Sequence, residues 1–163
     1  MEAVAEDTRT GDKISIDISD NDYEEIKSLA EDKISDSKLM SYIDNLDISA
    51  DAKALIASFL KTAIKVGELV VRIGKRIVEI VVMISAKFPN ATFGMVLGLL
   101  VGVLVASIPI LGAVLGSFAV PIAAVFGLAR GYAEDLQDQS LRRKIAEAST
   151  MFDPLKGEVH VAG

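Results

Sequence analysis

From Ala91 to Ala129 the chain carries no Asp, Glu, Lys, Arg, His, Asn or Gln. No other feature constrains the fold so strongly, because such a run makes a poor surface and has to be covered by protein or by lipid. A straight helix over it would reach roughly 58 Å at 1.5 Å per residue. The hydrocarbon core of a bilayer is about 30 Å thick. Pro109, in the stretch ASIPILG, interrupts a continuous helix near the middle of the block. The block therefore predicts a transmembrane helical hairpin over 91–129, as two spans or as a re-entrant loop. Its arms run from about Thr92 to Ser107 and from Leu111 to Ala129, and the hairpin turn falls at Pro109.

Charge is segregated around this block. Acids dominate residues 1–60 and bases dominate residues 61–90. Lys75, Arg76 and Lys87 precede the block, Arg130, Arg142, Arg143 and Lys144 follow it, and the turn has no base. By the positive-inside rule this predicts an integral membrane protein with both termini cytoplasmic. The opening residues are acidic and lack the apolar core of a cleaved signal, in keeping with a cytoplasmic N-terminus.

Residues 1–48 read as an acidic cytoplasmic segment. Its first twelve residues are polar and predict no element. Ile14, Ile16 and Ile18 then alternate with polar residues, which is a strand signal. A lone strand is not stable, and the one other candidate is GEVHV near the C-terminus; the alternative is an extended segment lying on a helix. Ser19 with Asp20, and Ser35, are placed to cap two short helices, making a small helical cap.

Ser49 starts what reads as a long amphipathic helix over 49–88, ended by Pro89. Lys61, Lys65, Glu68, Arg72, Lys75, Arg76 and Glu79 follow one another at helical steps and form a charged stripe on an otherwise apolar segment. A β-hairpin over LVVRI-GK-RIVEIVV is the rival, but LVVRI does not alternate. Six charges within 64–86 argue against surrounding that segment with lipid, so the helix is expected at the membrane interface or among copies of itself. Residues 130–163 read as a polar C-terminal helix and tail. The expected fold is thus an all-α membrane protein: a long amphipathic helix, an apolar hairpin and a small acidic cap.

Glycine costs a helix interior about 1 kcal/mol relative to alanine, yet Gly94, Gly98 and Gly102 recur at every fourth position. Gly112 and Gly116 repeat the spacing on the second arm, followed by Ala123, Gly127 and Gly131. Small residues let helix backbones approach closely where lipid offers no hydrophobic drive. These seven glycines are therefore expected to form helix-packing and oligomerisation faces. Gly67 and Gly74 are expected to form another close approach.

Chemistry is sparse. The chain has no cysteine and one histidine, His160, in the polar tail. No phosphate-binding loop or EF-hand spacing occurs, and no basic, aromatic-interleaved patch suits nucleic acid. Neither catalysis nor a cofactor nor a metal is expected. The partners expected are a lipid bilayer, further copies of the chain, and a protein at the acidic N-terminal segment. The function these features predict is a self-associating membrane pore or permeabilising effector. The alternative is a non-conducting membrane anchor or scaffold. In outline the chain is similar to pore-forming colicin domains, whose apolar hairpin sits among amphipathic helices, and to curvature-inducing hairpin proteins; no shared motif carries either likeness.

Overall fold

The computed structural model of the chain describes residues 1–127 and 139–161. Two strands open it, β1 (Glu2–Glu6) and β2 (Lys13–Asp17). Their antiparallel register sets Ala3 opposite Ile16 and Ala5 opposite Ile14, so one face of the ladder is apolar. The first residues of the chain, which predicted no element, are therefore a central strand.

Three helices follow: α1 (Asp20–Leu29), α2 (Asp36–Asp44) and α3 (Ala50–Phe59). Each begins at a serine whose hydroxyl oxygen accepts a backbone N–H. Ser19 takes that of Asp22 at 3.1 Å, Ser35 that of Lys38 at 3.3 Å, and Ser49 that of Ala52 at 3.1 Å. Caps of this kind are worth about 1 kcal/mol each.

The long amphipathic helix over 49–88 does not form. After Phe59 the chain makes a hairpin, β3 (Ile64–Val66) and β4 (Leu69–Val71), before α4 (Ile73–Lys87). Ile64, Val66, Val70 and Val71 are β-branched, and on the inner face Ile64 pairs with Val71 while Val66 pairs with Ala3 of β1. Gly67 and Glu68 make the two-residue turn, with Gly67 at φ +60° in the position that demands glycine. The rival hairpin was thus centred several residues too late. Later in the chain, β5 (His160–Val161) adds to β2, with Val161 opposite Ile14. The finished sheet is antiparallel, in the order β4-β3-β1-β2-β5.

The uncharged block forms α5 (Phe93–Ser107) and α6 (Pro109–Val125). Ile108 alone separates them, and Pro109 stands at the first position of α6. The two are antiparallel, because Gly112 meets Val105 near the turn while Phe93 and Phe126 place their rings 6.4 Å apart at the open end. Their 15 and 17 residues correspond to roughly 22 and 26 Å, short of a hydrocarbon core of about 30 Å.

Among the described residues no helix is long and apolar enough to cross a membrane. The transmembrane hairpin is therefore corrected. So is the integral membrane placement with both termini cytoplasmic, which rested on that hairpin. The all-α fold class is corrected as well: seven α-helices and a five-stranded antiparallel sheet make a mixed α/β fold among the described residues.

Protein covers the block instead. α6 packs on β1 and β2, where the small side chains of Ala3 and Ala5 leave room for a helix. Thr8, in the β1–β2 connection, donates both its N–H and its hydroxyl to the carbonyl of Ala113, at 3.2 and 3.0 Å. α5 packs on α6, α4 on α5, and α7 (Gln139–Ser149) on α5. A 3-10 turn (Thr150–Leu155) then seats the chain against α1. Leu97, Leu100, Leu104, Leu111 and Leu115 are all buried in this core.

Candidate functional site

The residues expected to form a charged stripe are dispersed by the β3–β4 hairpin. Lys61 follows α3, Lys65 is exposed on β3, Glu68 is in the turn and Arg72 precedes α4. Only Lys75, Arg76 and Glu79 lie on a helix, and all three are buried there. Lys75 is 2% exposed, and its ammonium lies 2.6 Å from Asp36 and 3.0 Å from Asp32. Arg72 reaches the same Asp36 at 3.0 Å. Glu79, 1% exposed, accepts the backbone N–H groups of Lys33 and Ile34 at 2.9 and 2.7 Å and faces Arg76 at 3.5 Å. Arg72 and Lys75 thus bind the acidic α1–α2 segment of their own chain, which accounts for part of the charge segregation.

This docking titrates at its exposed end. The Lys75 ammonium, then Arg72, hold the Asp36 carboxyl below its ordinary 3.8 against the opposing effect of burial. Burial pushes Lys75 down, but Asp36 and Asp32 push it further up, so it ends above 10.5. Asp36 therefore stabilises the fold above its unfolded value, and that contribution fades as pH falls through its lowered folded value. Lys75 contributes fully below 10.5, and its contribution fades as pH rises through its raised value. In urea unfolding, Asp36→Asn is expected to be less stable than the wild type at neutral pH. The gap should close only below pH 3.8. A gap independent of pH would assign Asp36 a role other than its charge.

The glycines separate into different roles. A Cβ on Gly94 would run into the ring of Phe126, and one on Gly112 would lie 3.0 Å from the Val105 carbonyl oxygen. Both serve the contact between α5 and α6 within one chain. Gly127, at φ +66°, ends α6 in the left-handed conformation typical of helix stops. A Cβ on Gly116 would lie 3.8 Å from the Arg9 side chain. Gly131 lies outside the described residues. Gly74 packs against Phe59 and Thr62, not against Gly67, which is in the hairpin turn. Pro109 holds the α5–α6 turn.

Gly98 and Gly102 remain. Together with Val101, Ala119, Ile122 and Ala123 they line a trough of about 110 Å³ between α5 and α6. A Cβ on Gly102 would meet nothing within 4 Å. Val120, which follows Ala119 on α6, is 76% exposed. An exposed apolar side chain thus adjoins the hollow on α6, in a helix pair whose own residues carry no charge. Sequence reasoning found Gly98 and Gly102 on α5 and Ala123 on α6 but missed Ala119 and Val120. Counting seven residues to either side of Pro109 sets Gly102 level with Gly116, about one turn short of Ala119, so the count alone did not mark Ala119.

Among the described residues no group of three or more His, Cys, Asp or Glu side chains is placed to hold a metal ion. His160 is exposed on β5, opposite Ser15. Comparison with known proteins finds no matching family, no curated relative and no solved structure.

Proposed function

We propose that the protein is a non-catalytic assembly module that associates with copies of itself through the outward face of α5 and α6. The observation that carries this reading is the exposed Val120 next to Ala119, which lines the Gly98–Gly102–Ala119–Ala123 hollow. A two-fold dimer needs a self-complementary patch, and a patch that holds both knob and hole supplies one. A second copy brings no charge on α5 or α6 themselves, and the charge at the edge of the face, Arg9 beside Gly116, is already paired with Asp7 at 3.4 Å. Small residues in the hollow let two helices approach to full dispersion contact.

Sedimentation velocity over a range of concentrations tests the reading. The wild type is expected to form a discrete dimer. Val120→Glu changes a mostly exposed side chain, so the monomer should fold normally, while the dimer should weaken by about tenfold or more because a carboxylate would be buried without a partner. A wild type that stays monomeric, or a variant that dimerises equally well, overturns the proposal. Flotation of a monomeric wild type with neutral lipid vesicles would assign the face to lipid instead.

A further inference from the structure

Between α4 and α7 lies a cleft of about 320 Å³, within the lower range of small-ligand sites, roughly 300–1,000 Å³. Three cations line it, Arg76, Lys87 and Lys144, against one carboxylate, Glu147, which sits 3.6 Å from Lys144. Its wall is apolar, with Ile80, Met83 and Met151. Arg76 is the unusual member. It is only 7% exposed, and neither its Nε nor its Nη1 has a hydrogen-bond acceptor. The 3.5 Å approach of Nη1 to Glu79 balances charge but is too long to be a good hydrogen bond. A buried guanidinium with two unused donor nitrogens is costly; both nitrogens are closed to solvent, so an anion in the cleft relieves that cost by drawing the guanidinium out toward it.

We propose that this cleft binds a small amphiphilic anion, a carboxylate or phosphate carrying an aliphatic chain. Lys87 and Lys144 attract the head group from the rim, Arg76 turns outward to meet it, and the methionine-rich wall takes the chain. Methionine suits such a wall because its flexible thioether adapts to chains of different shape. The cleft lies apart from the α5–α6 face, so this proposal does not depend on self-association.

Calorimetric titration with decanoate and decyl phosphate tests it, with decanol and acetate as controls. Decanoate is expected to saturate one site per chain, with decanol and acetate each weaker by about tenfold or more. Arg76→Met should weaken decanoate by about tenfold if it folds. Because it strips Glu79 of its cation, the rim variant Lys87→Glu/Lys144→Glu is the safer arm. It should keep the wild-type circular dichroism, lose about tenfold for decanoate and leave decanol unchanged.

Phosphatidylglycerol vesicles distinguish the source of the anion. Flotation abolished by the rim variant assigns a membrane lipid, and saturable decanoate binding without flotation assigns a free amphiphile. Decanol binding as tightly as decanoate, a rim variant that binds decanoate like the wild type, or neither saturation nor flotation overturns the proposal.

Discussion

Replacing Glu79 with alanine is expected to lower the unfolding free energy by about 3–5 kcal/mol, the scale for breaking a buried charge pair by removing one partner. Two losses combine. Arg76 would be left buried without its counter-charge, and the N–H groups of Lys33 and Ile34 would lose the oxygen that accepts both of them. The second loss reaches beyond α4, because those two amides hold the loop between α1 and α2, and that loop carries Asp32 toward Lys75. Glu79→Gln should fall between the wild type and Glu79→Ala: its carbonyl oxygen still accepts from the loop, but it offers Arg76 no charge. Urea unfolding of the three proteins measures this order. A loss below about 1 kcal/mol for Glu79→Ala, the range of exposed ion pairs, would mean that water reaches Arg76 freely.

The Glu79 pair also shows where the sequence was legible and where it was not. Spacing placed Lys75, Arg76 and Glu79 on one helix, and they are on one. The same spacing extended the helix back through Lys61, Lys65 and Glu68, where strands of three residues intervene. A three-residue strand is too short for alternation to compete with a helical count of charges. Its stability comes instead from pairing with β1, far away in the chain. β1 was invisible for a related reason: EAVAE has two alanines on its inner face, and their value lies in making room for α6. The serine caps were legible because capping is local.

The membrane expectation failed on length. A block without charge suits a protein core as well as a bilayer, and the deciding quantity is the uninterrupted helix on either side of Ile108. The sequence located that break, and the arms read from it, Thr92–Ser107 and Leu111–Ala129, already came to only about 24 and 28 Å; it was the length of the whole block, not of each arm, that suggested a membrane. Half of the candidate face was legible in the same way, since Gly98 and Gly102 are spaced along one helix. Val120 was not, because its position depends on how α6 lies against α5.

The glycines allow the sharpest separation of packing from background. Gly74→Val is expected to destabilise the fold by about 3 kcal/mol, the upper end of the usual cost of overpacking. Its Cβ would collide with the carbonyl of Phe59 and the hydroxyl of Thr62, and the carbonyl belongs to backbone at the end of α3. Backbone cannot turn aside as a side chain can. The Gly74 N–H also donates to the Thr62 carbonyl at 3.2 Å, so a shift of α4 away from the clash would stretch that bond.

Gly102→Ala should do the reverse. A Cβ there meets nothing within 4 Å, so only the helix preference acts, stabilising the monomer by about 0.5–1 kcal/mol. The same methyl enters the hollow beside Ala119, so the variant should gain monomer stability while losing dimer. Thermal unfolding at low concentration and sedimentation at high concentration read the two effects separately. If Gly102→Ala stabilised the monomer and left the dimer intact, Gly102 would be excluded from the contact and the hollow would have to act through Gly98 and Ala123 alone.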